Sequence, residues 1–201
     1  MDRAELSVPA ARITALTGPN GAGKSTLFDC LAGAARPSAG RVLLSGRDVT
    51  RLPPHARSRL GLARTFQHLA VFPSLTVAEN LRLGADRTPD PPATVAAVLD
   101  RLGLTRLRDH PADGLPTGTL RLVELGRALA ARPRVLLLDE PAAGLDHAET
   151  AGLDELLRTL AVGDGIALLL VEHDAELVSR LADRVYTMTA GRLALAEGGR
   201  G

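Results

Sequence analysis

Residues 18–26 read GPNGAGKST, and the order of types points to phosphate chemistry: glycine, four residues, glycine, lysine, serine. Gly18, Gly21 and Gly23 allow positive-φ turns that bring backbone N–H groups close to a polyphosphate. Lys24 would reach the outer phosphates, and the Ser25 hydroxyl would bind Mg²⁺. Asn20 and Thr26, in the same stretch, are candidate nucleotide contacts. The pattern requires a strand before it and a helix after it. The apolar residues Ile13, Ala15 and Leu16 and the helical spacing over 27–32 supply both, and a helix start adds partial positive charge. Lys24 is the sole lysine among 24 basic residues; every other one is arginine. A compact ammonium fits between phosphates in a closed loop, where a planar guanidinium does not.

Further chemistry lies at the ends of apolar runs. Asp139 and Glu140 follow the unbroken run 135–138, the pattern of a strand buried on both faces. An aspartate there can hold the Mg²⁺ shell opposite Ser25, and Glu140 can orient or deprotonate a water. His173 follows the run 166–171 after one acidic residue, Glu172. Gln67 stands at the end of the strand expected over 62–66. A lone histidine is more often a satisfied polar residue, but His173 is the fourth polar group expected at one edge. His55, His68, His110 and His147 have no such company and are assigned to the surface.

The elements that must position these groups alternate. After the loop helix, closed by Gly33, the sequence predicts a strand over 41–44, a Gly46 turn, a helix opened by Pro53 and Pro54, and a strand over 62–66. Residues 69–131 are helical in pattern, with apolar spacings of three and four at 77–83, 95–102 and 120–131. A proline-rich connector at Pro89, Pro91 and Pro92 interrupts them. Strand 135–138, helix 148–161, strand 166–171, helix 175–182, strand 185–189 and strand 193–196 follow. The expected fold is α/β, a P-loop NTPase core with a mostly parallel sheet flanked by helices, ligand at the strands' carboxyl ends. An α-helical lobe over 69–131 is inserted into a core formed by 1–68 and 132–201.

Composition narrows the function classes. The 201 residues are 45% hydrophobic and 23% charged, with a net charge of +1, as in an ordinary soluble globular protein. No basic tract stands out, and the aromatics are only Phe28, Phe66, Phe72 and Tyr186, so nothing suggests nucleic acid. Cys30 alone cannot form an internal disulfide, which suits a reducing compartment and a core role. The apolar runs fall far short of the roughly 18 residues of a membrane span, and the acidic start lacks a signal peptide's apolar region. The expected location is cytoplasmic, or peripheral on the cytoplasmic face of a membrane through partners.

The succession GPNGAGKST, Gln67, LLLDEPAAGLD at 136–146 and His173 resembles an ATP-binding-cassette (ABC) transporter ATPase domain. LARTFQ at 62–67 and DEPAAGLD at 139–146 are most similar to the ATPases of branched-chain amino-acid importers. The resemblance implies ATP and Mg²⁺ as cofactors, Gln67 near the metal and attacking water, Asp146 as a dimer contact and His173 at the γ-phosphate. It implies head-to-tail pairing with a second ABC ATPase subunit, each ATP lying between one loop and the other chain's signature segment. It further implies membrane permease subunits that contact the helical lobe between Leu69 and Asn80. Solute specificity would then reside in other subunits.

Two departures accompany the resemblance. The family's signature is close to Leu-Ser-x-Gly-Gln, and Leu115-Pro116-Thr117-Gly118-Thr119 stands in its place. Thr117 and Gly118 can still approach a partner's nucleotide, but Pro116 offers neither hydroxyl nor N–H and Thr119 is shorter than glutamine. A hydrogen bond to a charged phosphate contributes roughly 1.5–3 kcal/mol, about tenfold to a hundredfold in binding. The family also carries antiparallel strands and an adenine-stacking aromatic before the loop, worth roughly 1–3 kcal/mol by analogy. Here the N-terminal strands are expected to be truncated, and no aromatic precedes Phe28. The leading expectation is an ATP-hydrolysing importer subunit in a hetero- or homodimer, with the heterodimer expected because the altered signature acts on the partner's site and a homodimer would weaken both. A degenerate cassette that binds nucleotide with little turnover is the alternative, and a soluble cassette protein acting on DNA or ribosomes is a third.

Overall fold

A computed structural model describes residues 4–65 and 69–196. Strand β1 (Ile13–Thr17) leads through the glycine-rich loop into helix α1 (Lys24–Ala32). A two-stranded hairpin of β2 (Leu43–Leu44) and β3 (Arg47–Asp48) and helix α2 (Pro54–Arg59) precede β4 (Leu62–Arg64). Helices α3 (Val77–Ala85), α4 (Pro91–Arg101) and α5 (Thr117–Ala130) come next. The chain then alternates: β5 (Val135–Asp139), α6 (His147–Arg158), β6 (Ala167–Val171), α7 (Ala175–Leu181), β7 (Arg184–Thr189) and β8 (Arg192–Leu195).

The main sheet has the order β4-β5-β6-β1-β7-β8. Its pairings are parallel, apart from the antiparallel β7–β8 edge. Successive side chains of a strand point to opposite faces, and here both faces are covered. Leu136, Leu138, Leu168 and Leu170 enter one core with the buried faces of α3, α5, α6 and α7. Leu137, Leu169 and Val171 enter the other with Leu27 and Phe28 of α1. That double burial is why β5 and β6 read as unbroken apolar runs.

Local chemistry sets the helix ends. Gly33 adopts φ 85° and donates its N–H to the Asp29 carbonyl, which closes α1. Arg57 is fully buried, and its guanidinium donates to the carbonyls of Cys30 and Leu31 at 2.6 Å, so α1 ends on a fixed cation. Cys30 is a buried free thiol. Thr76 and Glu79 form a reciprocal capping box at the start of α3. Pro91 and Pro92 do not break the helical region. They occupy the first turn of α4 behind an Asp90 cap, where a missing N–H is harmless. α3 and α5 approach closely: a Cβ on Gly84 would lie 1.9 Å from the Arg127 carbonyl.

Among the described residues, no helix is long and apolar enough to cross a membrane. The strand expected over 41–44 is shorter than its pattern suggested, because only Leu43 and Leu44 have a partner strand.

Candidate active site

The site arises from register. In the neighbouring strands β1, β6 and β5, Leu16 pairs with Val171 and Val171 pairs with Asp139. Three parallel strands therefore end level, and the residues that follow them share one edge of the sheet. These are the glycine-rich loop, Glu172 with His173, and Glu140.

The loop is built for close approach. Gly18 sits at φ 140°, and a Cβ there would lie 2.2 Å from the Met188 carbonyl, so no side chain fits. Gly23 adopts φ 109° at the cap of α1 and offers no side-chain acceptor. The first-turn N–H groups of α1 are thereby left to an external anion. Lys24 is only 7% exposed. Its Nζ donates to the carbonyls of Gly18 at 2.6 Å and Pro19 at 3.0 Å, holding the ammonium beneath the loop. Asn20, Gly21, Ser25 and Thr26 are exposed. The Gly191 N–H donates to the Ala22 carbonyl at 2.9 Å and ties the loop to the β7–β8 turn.

Asp139 ends β5 and is 6% exposed. Burial pushes its carboxyl above the ordinary range, against the opposing pull of Arg64. The Arg64 guanidinium bonds Asp29 of α1 at 2.5 Å, lies 3.5 Å from Asp139 Oδ2, and stacks over Phe28. Glu140 takes φ 48°, an uncommon conformation for a residue with a Cβ. Its N–H donates to the Val171 carbonyl at 3.0 Å. The Glu140 carboxylate meets His173 Nε2 at 2.9 Å. Strain at such a residue is characteristic of functional sites. A carboxylate and an imidazole in contact, both partly open to solvent, can orient a water and exchange its proton.

The donors fit a hard cation. Ser25 supplies an exposed hydroxyl and Asp139 a carboxylate, the set by which Mg²⁺ is held between few protein oxygens and substrate phosphates. Among the described residues, no cluster of three or more His, Cys, Asp or Glu could hold a metal alone. Bound there, the ion would supply charge neutralisation on phosphate oxygens.

Thr117, Gly118 and Asp146 form a second group. A Cβ on Gly144 would touch Thr117 at 3.5 Å, and one on Gly118 would lie 2.0 Å from Glu149 Oε1. Asp146 caps α6, its carboxylate accepting the Glu149 N–H at 2.8 Å, while Glu149 accepts the Asp146 N–H at 3.0 Å. Among the described residues, no hydrogen bond joins Thr117, Gly118 or Asp146 to the glycine-rich loop, Asp139, Glu140 or His173. Gln67 lies outside the described residues.

Two further residues at the site were given no role from the sequence. Arg64 links Asp139 to α1, and Glu172, 5% exposed, accepts N–H groups from two loops. A carboxylate directly after five buried apolar residues was the available signal for Glu172. Arg64 stands inside the LARTFQ stretch, but its pairing with Asp29 and Asp139, 35 and 75 positions away, had no local signal.

A profile of the ABC transporter family matches residues 1–143. The chain is 36% identical over 210 residues to the high-affinity branched-chain amino acid transport ATP-binding protein LivG of Escherichia coli, covering 95% of this chain and 82% of LivG. An ATP-binding cassette of an ABC transporter, solved in its ADP conformation, superposes with a TM-score of 0.86 at 31% identity, covering 98% of this chain and 83% of the other. cbiO1 from Clostridium perfringens, part of the ABC transporter complex cbiONQ, gives a TM-score of 0.87 at 30% identity over 96% of this chain and 79% of its own. Motif, register and likeness agree: the chain belongs to the ABC transporter family, as an ATP-binding chain of its ATPase type.

Proposed function

We propose that this chain hydrolyses MgATP in a head-to-tail pair with a second cassette and thereby drives an importer. Branched-chain amino acids are the solute class favoured by the likeness to LivG. The single observation that carries the reading is the level ending of β1, β6 and β5, which gathers Lys24, Asp139, Glu140 and His173 at one edge. In this reading Gly18, Asn20, Gly21, Gly23, Lys24, Ser25 and Thr26 hold the phosphates. Ser25, Asp139 and Gln67 serve the metal. Glu140 and His173 serve the attacking water and γ-phosphate, while Thr117, Gly118 and Asp146 face the partner.

Residues 1–68 and 132–201 act as the nucleotide lobe and 69–131 as the signature lobe. Permease subunits dock on the latter, which keeps the chain at the cytoplasmic face of the membrane. In that region Phe72, Pro73 and Ser74 are exposed, whereas Asn80 is fully buried and bonded to the backbone of Phe72. The contact therefore falls on the loop before α3 rather than on Asn80.

The pairing is best met by a different chain. Pro116 stands at the cap of α5 and gives no side-chain cap bond, so this signature serves a partner's ATP poorly while this chain's own loop is intact. The test is phosphate release by the chain alone and mixed with a cassette bearing a complete Leu-Ser-Gly-Gly-Gln. The mixture should be roughly tenfold to a hundredfold faster, and Glu140→Gln in this chain should abolish the gain. Equal rates alone and mixed would refute the asymmetry. An unaltered rate with Glu140→Gln would favour a nucleotide-binding chain with little turnover, the second reading that Pro116 supports.

A further inference from the structure

We propose that Glu172 is a positioning residue for hydrolysis: one buried carboxylate straps the loop after β5 to the loop after β6, and so sets the contact between Glu140 and His173. The inference rests on the hydrolytic reading above.

The geometry is specific. Glu172 Oε1 accepts the Ala142 N–H at 3.2 Å, two residues past Glu140. Its Oε2 accepts the N–H of His173 itself at 3.2 Å. The Glu172 N–H continues the sheet ladder to the Leu16 carbonyl at 3.4 Å, on the strand that feeds the glycine-rich loop. One residue thus touches all three segments that carry the candidate chemistry.

A carboxylate is costly in this place. It is 5% exposed, and burial together with the nearby Glu140 charge pushes its pKa up, opposed by N–H groups of Ala142, His173 and Asp174. Mere packing after β6 would be served better by an apolar residue, because a buried charge is expensive unless it is bonded. What only a carboxylate provides is two acceptor oxygens on a rigid plane. Glutamine has one oxygen, and its NH₂ would confront the second N–H. Fixing both loops also offsets the strain of Glu140 at φ 48°.

Two measurements test the strap. In the paired ATPase assay, Glu172→Ala and the isosteric Glu172→Gln should lower kcat by about tenfold to a hundredfold, as misplacement by about 1 Å does, with KM for ATP within about twofold. In a His173→Ala background the same substitutions should add less than about twofold, since their effect runs through His173. Equal changes in kcat and KM, or full effects in the His173→Ala background, would overturn the proposal.

The second readout needs no turnover. NMR of the nucleotide-free chain should show the Ala142 and His173 amide protons moving upfield in Glu172→Gln, and the His173 ring signals moving toward those of Glu140→Ala. Unmoved signals would refute the strap. Moved signals in a chain that hydrolyses nothing would support the strap and refute the hydrolytic reading instead.

Discussion

In the function proposed above, the edge of the sheet and the start of α5 face one demand, that of meeting a phosphate. At the sheet edge four polar groups are each held by another: Lys24 by loop carbonyls, Asp139 beside Arg64, Glu140 against His173, His173 by Glu172. At the start of α5, Gly118 is buried against Glu149, and its neighbours Pro116 and Thr117 are exposed with no side-chain cap between them. Preorganised donors do not reorganise when charge arrives, which is what makes them effective. The first region has that property and the second has little beyond a backbone. One chain can therefore be competent toward its own nucleotide and weak toward a partner's.

The contrast can be broken or sharpened by experiment. The largest effect is expected from Lys24→Ala. Removing the ammonium should lower ATP affinity by at least about a hundredfold by calorimetry, and unchanged affinity would end the claim that the sheet edge holds nucleotide. Next comes repair of the weaker region. Pro116→Ser with Thr119→Gln should raise phosphate release at a partner's site by about tenfold or more, while ATP binding to this chain alone stays constant. A gain in the chain's own affinity would show that the two regions are not separable.

A smaller effect concerns Gly118. Gly118→Ala should destabilise the fold by about 1 kcal/mol in urea unfolding, because its Cβ displaces the Glu149 carboxylate. In a Glu149→Ala background, which lacks that carboxylate and its cap bond to Asp146, Gly118→Ala should cost at most about half as much, and strict additivity would refute the contact. The smallest is a pH effect at Asp139. Burial raises its pKa in the folded state, so its contribution to stability is complete below the ordinary carboxylate value and is lost as pH rises through the raised one. Asn does not ionise. The thermal stability of Asp139→Asn relative to wild type should therefore improve as pH climbs through that window, by about 1 kcal/mol or less. A difference independent of pH would place the cause in Arg64 packing instead.

Much of the sheet edge was legible because its signals are local. GPNGAGKST carries its own turn chemistry, and the runs ending at Leu138 and Val171 place Asp139, Glu140 and His173 at strand ends without further information. The helices of 69–131 were legible from their spacing. The role of Pro91 and Pro92 was not, since a proline interrupts or opens a helix depending on the residue before it, here the Asp90 cap. Leu43 and Leu44 form the whole of β2, because a strand extends only as far as its partner does.

Sequence by itself determined the chemical inventory: one lysine ringed by glycines, an Asp-Glu pair, a histidine, and a signature with proline in place of a hydroxyl. Composition and periodicity also determined the α/β alternation, because burial on both faces of a strand forces an unbroken apolar run. Tertiary structure alone decided the rest. It set the register that brings Leu16, Val171 and Asp139 level, the meeting of Glu140 with His173, the Arg64 bridge between Asp29 and Asp139, and the carboxylate of Glu149 against Gly118. These pairs are distant along the chain, and their contact depends on how strands and helices pack, which no local pattern of residue types encodes.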